Sequence, residues 1–535
     1  MSDRKAMNIC IAGEAGDGVR GAGIILGKIF GELGYSVFVY QEYQSTIRGG
    51  HNSSVVRASE KEISSHSYYY NVLICLRAHV FEKHAERLRG VLICDSSFNL
   101  AHEMKVEFPI DETVKKLNLP DISRNIAAIS VFCKSFGIDA ELVENVIRKS
   151  FGDNRNIEAV RTVYENLDVS VSQIRRVGER KELVSGAEAI ARGMLDAGLK
   201  FYYAYPMTPA SQILHFLAAE RKCIALQPES EIAAIMMAIG SAFGGERAAV
   251  GTSGGGFALM SESISLAAMA EIPVLIILAQ RSGPSTGMAT YTAQQDLYFA
   301  LNPAHGEFPL IVASPVTIED SYRLAGELLN LAWKFQTPAI LLTEKHITES
   351  YKTAGLAGVV RREVHVFREK NGEVFRRYEI TESGISPYAI PPAVVKANSN
   401  EHDEYGFTTD DAEIATMMYA KRMRKEKEIA KVVAELEPCI EIRNGNDWIV
   451  TWGSNFGAVK EVAEELGFSV AAVRFMRPLF LPKINGEVFC VECNYTGLLA
   501  KLLEAEGLKV KRILRWDGRP FTPEEIREGI ERWSE

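Results

Sequence analysis

Cysteine, excess positive charge and long apolar runs are all scarce in this sequence of 535 residues. Its 60 Lys and Arg residues are outnumbered by 69 Asp and Glu residues, and the net charge of −9 argues against a general nucleic-acid binder. Ile272–Ala279, one of the longest apolar runs, is far short of the ~20 residues that span a bilayer. We therefore expect neither nucleic acid nor a membrane as a partner. Because the opening MSDRKAMNIC has no long apolar segment, we expect no secretion signal and a cytoplasmic location.

The eight cysteines do not form the grouping that an iron–sulfur cluster needs. Such a cluster usually takes about four thiolates in closely spaced groups. Only Cys490 and Cys493 form a CxxC pair, and they lie in the apolar run VFCVEC, which has the pattern of a buried strand. A structural role is thus favoured over a redox pair or a metal ligand. We predict no cluster and no metal site in this chain.

The composition, 47% apolar and 24% charged, is ordinary for globular protein and excludes a disordered chain, a collagen or a disulfide miniprotein. Short apolar runs alternate with segments of helical pattern, which predicts an α/β fold. We predict three doubly wound parallel-sheet domains at residues 1–178, 182–352 and 446–535, joined by a polar linker or excursion at 353–445. Within that linker, the charges of Lys421–Lys425 are interpreted as the solvated face of a helix.

A glycine-rich turn, GEAGDG, follows the first predicted strand and contains Gly13, Gly16 and Gly18. Glycines let backbone N–H groups approach an anion, and the start of the next helix adds positive potential. Glu14 and Asp17, however, would repel a phosphate. Both a tight structural turn and a ligand contact remain open.

Arg48 stands in a second glycine-containing segment, RGGHN, next to His51. Arg48 and His51 could meet an anionic ligand on the glycine backbone, or the segment could be a hydrogen-bonded turn. Arg48 and the glycines of the GEAGDG turn are the weakest site candidates in the chain.

Polar residues follow three predicted strands of the second domain. Thr208 lies in YPMTPAS, Thr252 and Gly254 lie in GTSGGG, and Arg281 opens RSGPSTG. Each has a structural alternative: Thr208 could cap a helix, and Arg281 could form a salt bridge. Ligands of open α/β sheets bind at the carboxyl ends of strands, so the convergence of these segments predicts a site.

Glu231 directly precedes a long apolar helix, which we predict to be buried. An acid in a first helical turn could simply interact with the helix dipole. Burial, however, raises a carboxyl pKa by up to ~3–5 units unless a charge or hydrogen bond compensates. A buried Glu231 would therefore indicate function.

Taken together, these motifs resemble the α chain of 2-oxoacid:ferredoxin oxidoreductases, in the form with the γ subunit fused at the N-terminus. YPMTPAS, ESEIAA, GTSGGG and QRSGPSTGM occur in the order of that family. RYEITESGISP, EHDEYG and KRMRK resemble the intervening region of 2-oxoglutarate-type chains, and TWGSNFG, RPLFLP and VECNYTG resemble the C-terminal domain. IAGEAGDG and IRGGHNSSVVR resemble the γ unit. Met207 in place of the usual Ile and the CVEC pair are departures.

The resemblance implies a thiamine diphosphate pyrimidine-binding domain at 182–352 and a transketolase C-terminal-like domain at 446–535. Glu231, with Glu229 in reserve, aligns with the glutamate that hydrogen-bonds the aminopyrimidine ring. Thr208 would contact the keto or carboxylate group of the 2-oxoacid, and Arg281 would pair with its carboxylate. Thr252 and Gly254 would line the cofactor. The γ-like domain would lie beside coenzyme A.

The resemblance also implies partners, because the chain lacks the metal–diphosphate signature of thiamine enzymes: no Asn pair follows Gly16-Asp17-Gly18. A β subunit would supply that signature with its Mg²⁺, together with the [4Fe-4S] clusters that pass electrons to ferredoxin, in an (αβ)₂ assembly. The implied reaction is CoA-dependent oxidative decarboxylation of 2-oxoglutarate or a broader range of 2-oxoacids. Two alternatives remain: a subunit of another thiamine-dependent decarboxylase or carboligase, and a CoA- or nucleotide-binding scaffold.

Overall fold

The computed structural model describes residues 6–45, 49–151, 155–369 and 372–533. It divides into two compact units. The first comprises Met1–Ser185, Glu349–Gly355 and Thr522–Gly529, and the second comprises Gly186–Thr348, Leu356–Phe521 and Ile530–Glu535. No helix in the described ranges is long and apolar enough to cross a membrane.

The first unit is built on a mixed sheet. Numbered along the chain, its strands are β1 (Met7–Ala15), β2 (Ser36–Glu42), β3 (Gly49–Ser59), β4 (Tyr70–Cys75), β5 (Leu88–Asp95), β6 (Lys105–Phe108), β7 (Leu183–Ser185) and β14 (Tyr351–Thr353). Within the described residues their order is β6-β5-β4-β1-β3-β2-β14-β7. Its helices are α1 (Val19–Glu32), α2 (Glu82–Ala85), α3 (Ile110–Lys116), α4 (Arg124–Ser135), α5 (Ala140–Phe151) and α6 (Arg155–Asn166).

The sheet of the first unit is mixed, and helix α1 packs against it. β1 pairs in parallel with β4 but antiparallel with β3. The unit therefore has the predicted α/β architecture, but its sheet is not wholly parallel as predicted. Ile25, Ile29 and Phe30 of α1 are buried in the same apolar cluster as Val37 and Val56 of the sheet. One apolar face of α1 therefore covers the sheet directly after the glycine turn.

The second unit begins with a nearly all-parallel sheet. Its strands are β8 (Phe201–Tyr203), β9 (Ile224–Leu226), β10 (Ala248–Thr252), β11 (Val274–Gln280), β12 (Ile311–Ala313), β13 (Pro338–Glu344) and β20 (Phe475–Arg477), in the order β20-β12-β13-β11-β10-β8-β9. Only the pairing of β20 is antiparallel among those described. Every residue of β11 and β13 is buried, as expected for central strands covered on both faces. The helices of this stretch are α7 (Gly186–Asp196), α8 (Ser211–Glu220), α9 (Glu231–Phe243), α10 (Gly254–Leu259), α11 (Ser261–Met269), α12 (Leu297–Leu301), α13 (Ile318–Phe335) and α14 (Lys345–Glu349).

A separate sheet forms near the C-terminus. Its strands are β17 (Cys439–Ile442), β18 (Trp448–Trp452), β19 (Ser469–Val473), β21 (Val488–Glu492) and β22 (Val510–Leu514), in the order β17-β19-β18-β21-β22, and the helices of this stretch are α16 (Phe456–Leu466), α17 (Leu498–Ala505) and α18 (Pro523–Glu531). Cys490 lies on β21 and Cys493 just after it, and both are buried. Burial raises the pKa of both thiols, which keeps them protonated.

The region between these two sheets contains β15 (Val366–Phe367), β16 (Tyr388–Ala389) and α15 (Ala412–Ala434). The interpretation of its Lys/Arg cluster as a solvated face is wrong for three of its members. Lys421 and Lys425 are buried and pair with Glu271 at 2.6 and 2.5 Å, and buried Arg422 pairs with Glu401. Charges of opposite sign inside the unit compensate these cations, which a single sequence could not reveal. The four residue ranges given from sequence remain predictions.

Candidate cofactor site

Thr208 and Arg281 come together at the carboxyl end of the seven-stranded sheet. Arg281 follows β11, is buried, and donates a hydrogen bond from Nη1 to the carbonyl oxygen of Thr208 at 3.0 Å. Burial lowers the pKa of Arg281 from its ordinary value, but guanidinium stays charged in proteins. Thr208 does not cap α8: the cap position is Ala210, which makes no side-chain cap bond. Thr208 thus lies beside the guanidinium.

Glu231 and Thr252 meet over Gly256. Glu231 is the first residue of α9 and is only 5% exposed, whereas Glu229 is exposed. A Cβ atom on Gly256 would lie 2.5 Å from Oε1 of Glu231 and 2.2 Å from Oγ1 of Thr252. Position 256 therefore has to be glycine, because a Cβ atom cannot lie so close to the side-chain oxygens of Glu231 and Thr252.

The start of α9 is fixed independently of Glu231. Ser230 is the N-cap, and its hydroxyl accepts a hydrogen bond from the backbone N–H of Ala233 at 3.2 Å. Ser230 therefore caps the helix, and the carboxylate of Glu231 is directed to Gly254–Gly256, the first turn of α10, which we call the glycine loop.

Asp296, which the sequence analysis did not predict, lies against the same loop. A Cβ atom on Gly254 would be 3.0 Å from its Oδ2. Burial raises the pKa of Asp296 to about 6. An aspartate directly before a short helix looks like a routine N-cap in the sequence, so no signal distinguished it. The loop Gly254–Gly256 thus has one carboxylate near each end.

A buried polar network holds the segment that carries Asp296. Thr292 and Gln294 donate hydrogen bonds to Glu344 at the end of β13, each at 2.9 Å, and the backbone N–H of Ser454 donates to the same carboxylate at 2.8 Å. The N–H of Asp296 donates to Gln280 Oε1 at 2.9 Å. The network connects the seven-stranded sheet to the start of α16 and fixes the position of the segment.

The helix that Glu231 opens is not buried all round, contrary to the prediction. Ile232 is 50% exposed, and Met236 and Met237 are also exposed. The adjacent edge strand β9 exposes Ile224 and Leu226. Helix periodicity places one apolar face of α9 against the unit, but nothing in the described residues covers the other. We call these five residues the α9 surface; exposed apolar side chains grouped in this way are typical of a protein interface.

The N-terminal glycine turn is organised around Asp17. Its buried carboxylate accepts hydrogen bonds from Arg77 Nη2 at 2.6 Å, from Arg124 Nη1 at 3.3 Å and from the N–H of Glu14 at 2.8 Å. Gly16 and Gly18 adopt positive φ values of 103° and 70°, which the turn requires. A Cβ on Gly13 would lie 3.0 Å from Asp17 Oδ2, so that glycine also makes room for the carboxylate. A contact of this turn with a ligand stays a prediction, and Arg48 lies outside the described residues.

Comparison with known proteins identifies the family of the chain. Residues 192–421 match the family model "Pyruvate flavodoxin/ferredoxin oxidoreductase, thiamine diP-bdg", and residues 8–166 match "Pyruvate ferredoxin/flavodoxin oxidoreductase". The chain is 31% identical to the 2-oxoacid:ferredoxin oxidoreductase subunit alpha of Saccharolobus solfataricus, over 97% of this chain and 96% of that protein. It is 37% identical to the 2-oxoglutarate synthase subunit KorA of Archaeoglobus fulgidus over 36% of this chain and 56% of that one.

A solved structure matches almost the whole fold. It is a 2-oxoglutarate:ferredoxin oxidoreductase from Magnetococcus marinus with 2-oxoglutarate, coenzyme A and succinyl-CoA bound. The match has a TM-score of 0.87 and 26% identity and covers 99% of this chain and 100% of that chain. The resemblance seen in the motifs is therefore confirmed, together with the α/β class and a thiamine diphosphate-binding domain. The chain belongs to the α subunits of the 2-oxoacid:ferredoxin oxidoreductase family.

Proposed function

We propose that this chain, together with a β subunit, catalyses CoA-dependent oxidative decarboxylation of a 2-oxoacid to acyl-CoA and CO₂, with electrons passing to ferredoxin. One observation carries the proposal: buried Glu231 meets Thr252 over the glycine loop, next to an apolar surface that the described part of the chain leaves uncovered. We interpret this arrangement as one side of a pocket that a second chain completes.

The residues present fit the aromatic head of thiamine diphosphate. Gly254–Gly256 offer backbone without side chains, on which a flat ring can lie closely. Glu231 would hydrogen-bond a ring nitrogen and hold or release a proton there, and Thr252 would line the ring. When bound, the cofactor supplies an electron sink for the decarboxylation.

Arg281 and Thr208 fit the substrate end of the pocket. Nη1 of Arg281 is engaged by the Thr208 carbonyl, which fixes the guanidinium plane. The remaining donors can pair with the carboxylate of a 2-oxoacid, a match that guanidinium geometry favours. Thr208 would contact the keto or carboxylate group. The relatives named 2-oxoglutarate synthase support 2-oxoglutarate or a broad range as the substrate.

The β subunit would cover the α9 surface. It would also provide the diphosphate–Mg²⁺ site and the [4Fe-4S] clusters, in an (αβ)₂ assembly. We assign the first unit a role beside coenzyme A, with Gly13, Gly16, Gly18 and Arg48 as its candidate contacts; coenzyme A in the Magnetococcus marinus structure supports the involvement of this cosubstrate.

Anaerobic co-expression with the β subunit tests the proposal. Reduction of a viologen dye would be measured with CoA and 2-oxoglutarate, pyruvate or 2-oxobutyrate, and acyl-CoA would be quantified. The proposal expects two reduced viologens for each acyl-CoA formed, because the oxidation of one 2-oxoacid releases two electrons, with 2-oxoglutarate among the substrates. Aldehyde or ligation products without dye reduction would point to the decarboxylase or carboligase alternative. Binding of CoA without any turnover would point to a scaffold.

A further inference from the structure

Asp296 lies where a helix-capping aspartate should be, but it does not cap. It occupies the N-cap position of α12, and its side chain makes no cap hydrogen bond. Asp is favoured at N-caps because its carboxylate accepts a backbone N–H of the first turn. The usual structural reason for an aspartate at this position is therefore missing.

No other group satisfies the carboxylate either. Among the residues that the structure describes, neither a cation nor a hydrogen-bond donor contacts it; the hydrogen bond with Gln280 uses only the backbone N–H of Asp296. The carboxylate instead rests on Gly254, whose missing side chain leaves the room. A partly buried carboxylate without a protein partner loses part of its hydration, so Asp296 is placed to accept a hydrogen bond from a ligand.

The neighbouring charges do not cause the raised pKa of Asp296. Its helix α12 packs against α17, which carries Lys501 and Glu504, and against β13, which ends at Glu344. Glu231 on α9, Arg281 after β11 and Tyr298 on α12 itself are the other titratable groups nearby. None of them contributes to the raised pKa of Asp296, which results from burial alone. At neutral pH the group is thus ionised and uncompensated, above a pKa of about 6.

We propose that Asp296 is a second acid of the cofactor site, at the opposite end of the glycine loop from Glu231, whose ionised carboxylate accepts a hydrogen bond from the amino group of bound thiamine diphosphate. The proposal rests on the function proposed above. The chemistry is complementary: the cofactor carries one amino group and a cationic ring, and both are attracted by a carboxylate. Glu231 and Asp296 would hold the two sides of the same ring system.

The test compares thiamine diphosphate affinity of the αβ complex with wild-type α, Asp296→Asn and the matched control Asp410→Asn, an exposed aspartate. Dissociation constants would be measured by equilibrium dialysis with Mg²⁺ at several pH values from 5.5 to 7.5. At pH 7.5 we expect about 10-fold weaker binding for Asp296→Asn, in keeping with the strength of charge-assisted hydrogen bonds, and no change for the control. Wild-type affinity should fall as the pH drops through about 6, more steeply than that of Asp296→Asn.

Thermal unfolding of the isolated α chain distinguishes a cofactor-binding role of Asp296 from a structural role. Because the folded state raises the pKa, it binds the Asp296 proton more tightly than the unfolded state, so stability from this group is lost as pH rises through about 6. Above that pH, Asp296→Asn should therefore melt at the wild-type temperature or higher, while a structural residue would melt lower. Asp296→Ala should show the same pattern with weaker cofactor binding.

The failures of the two proposals are distinguishable. Unchanged cofactor affinity and pH dependence in both Asp296 variants, in a complex that still oxidises 2-oxoacids, would overturn the role of Asp296 and leave the proposed function intact. A wild-type complex that binds no thiamine diphosphate would overturn both.

Discussion

Two glutamates stand two positions apart at the start of α9, and only Glu231 is buried. Ser230 supplies the cap, so the carboxylate of Glu231 has no part in it. It lies against the glycine loop together with Thr252, where we propose that the ring of the cofactor binds. At the scale of single residues, burial thus separates the acid that we assign to the cofactor from the exposed Glu229.

We predict that Glu231→Gln lowers turnover of the αβ complex at least 100-fold, because the amide cannot exchange a proton with the cofactor ring. Dye-coupled kinetics with saturating 2-oxoacid and CoA would measure this. Glu229→Gln is the matched control and should stay within twofold of wild type. Full activity of Glu231→Gln would show that another group is the acid.

A second residue prediction concerns the substrate. Arg281→Ala should raise the KM for the 2-oxoacid about 10- to 100-fold, which corresponds to losing a charge-assisted hydrogen bond. Arg281→Lys keeps the charge but not the planar pair of donors, so it should recover only part of the loss. Initial-rate measurements over a range of 2-oxoacid concentrations would test this, and an unchanged KM in the Ala variant would remove Arg281 from the substrate site.

Among the structural elements, the glycine loop depends most on the absence of side chains. Gly256→Ala should destabilise the second unit by about 1–3 kcal/mol and weaken activity, because the added methyl would meet Glu231 and Thr252. Gly240→Ala on α9 is the control: nothing lies within 4 Å of its added Cβ, so it should be neutral or stabilising by about 0.5–1 kcal/mol. Calorimetry of both variants would check this, and equal melting temperatures would contradict it.

α15 depends on one buried anion. Although burial alone would raise it, the charges of Lys421 and Lys425 hold the pKa of Glu271 well below its ordinary value. Glu271→Gln would leave both lysines without their partner, so we expect a loss of about 3–5 kcal/mol. Glu504→Gln, which breaks an exposed pair with Arg512, should change the melting temperature little. Similar small effects in both variants would refute the anchoring role.

The ion pairs of Glu271 with Lys421 and Lys425 also make the stability of the protein depend on pH. Since the folded state lowers the pKa of Glu271, its contribution to stability is present above the ordinary carboxyl pKa and is lost as pH falls from that value towards the lowered pKa of the folded state. The wild-type melting temperature should therefore fall more steeply on acidification than that of Glu271→Gln.

For the whole molecule, sequence patterns predicted the layers better than the surfaces. Apolar runs such as Val274–Gln280 predicted buried strands, and the strand-end pattern predicted the proximity of Thr208 and Arg281, while their roles remain predictions. The exposed face of α9 could not be predicted, because an apolar helix has the same pattern whether its own chain or another covers it. A role for Asp296 could not be predicted, because an aspartate directly before a helix usually serves as its N-cap.

The α9 surface supports the central proposal at the scale of the assembly: we propose that this chain forms one wall of the cofactor pocket and that a β subunit forms the other. Thiamine diphosphate binding to the isolated chain and to the αβ complex, measured by equilibrium dialysis with Mg²⁺, tests that claim most directly. We expect binding by the complex alone, and loss of both binding and association in Ile232→Glu but not in Val360→Glu, which changes an exposed apolar residue elsewhere. Equal cofactor affinity of the isolated chain and the complex would contradict the account.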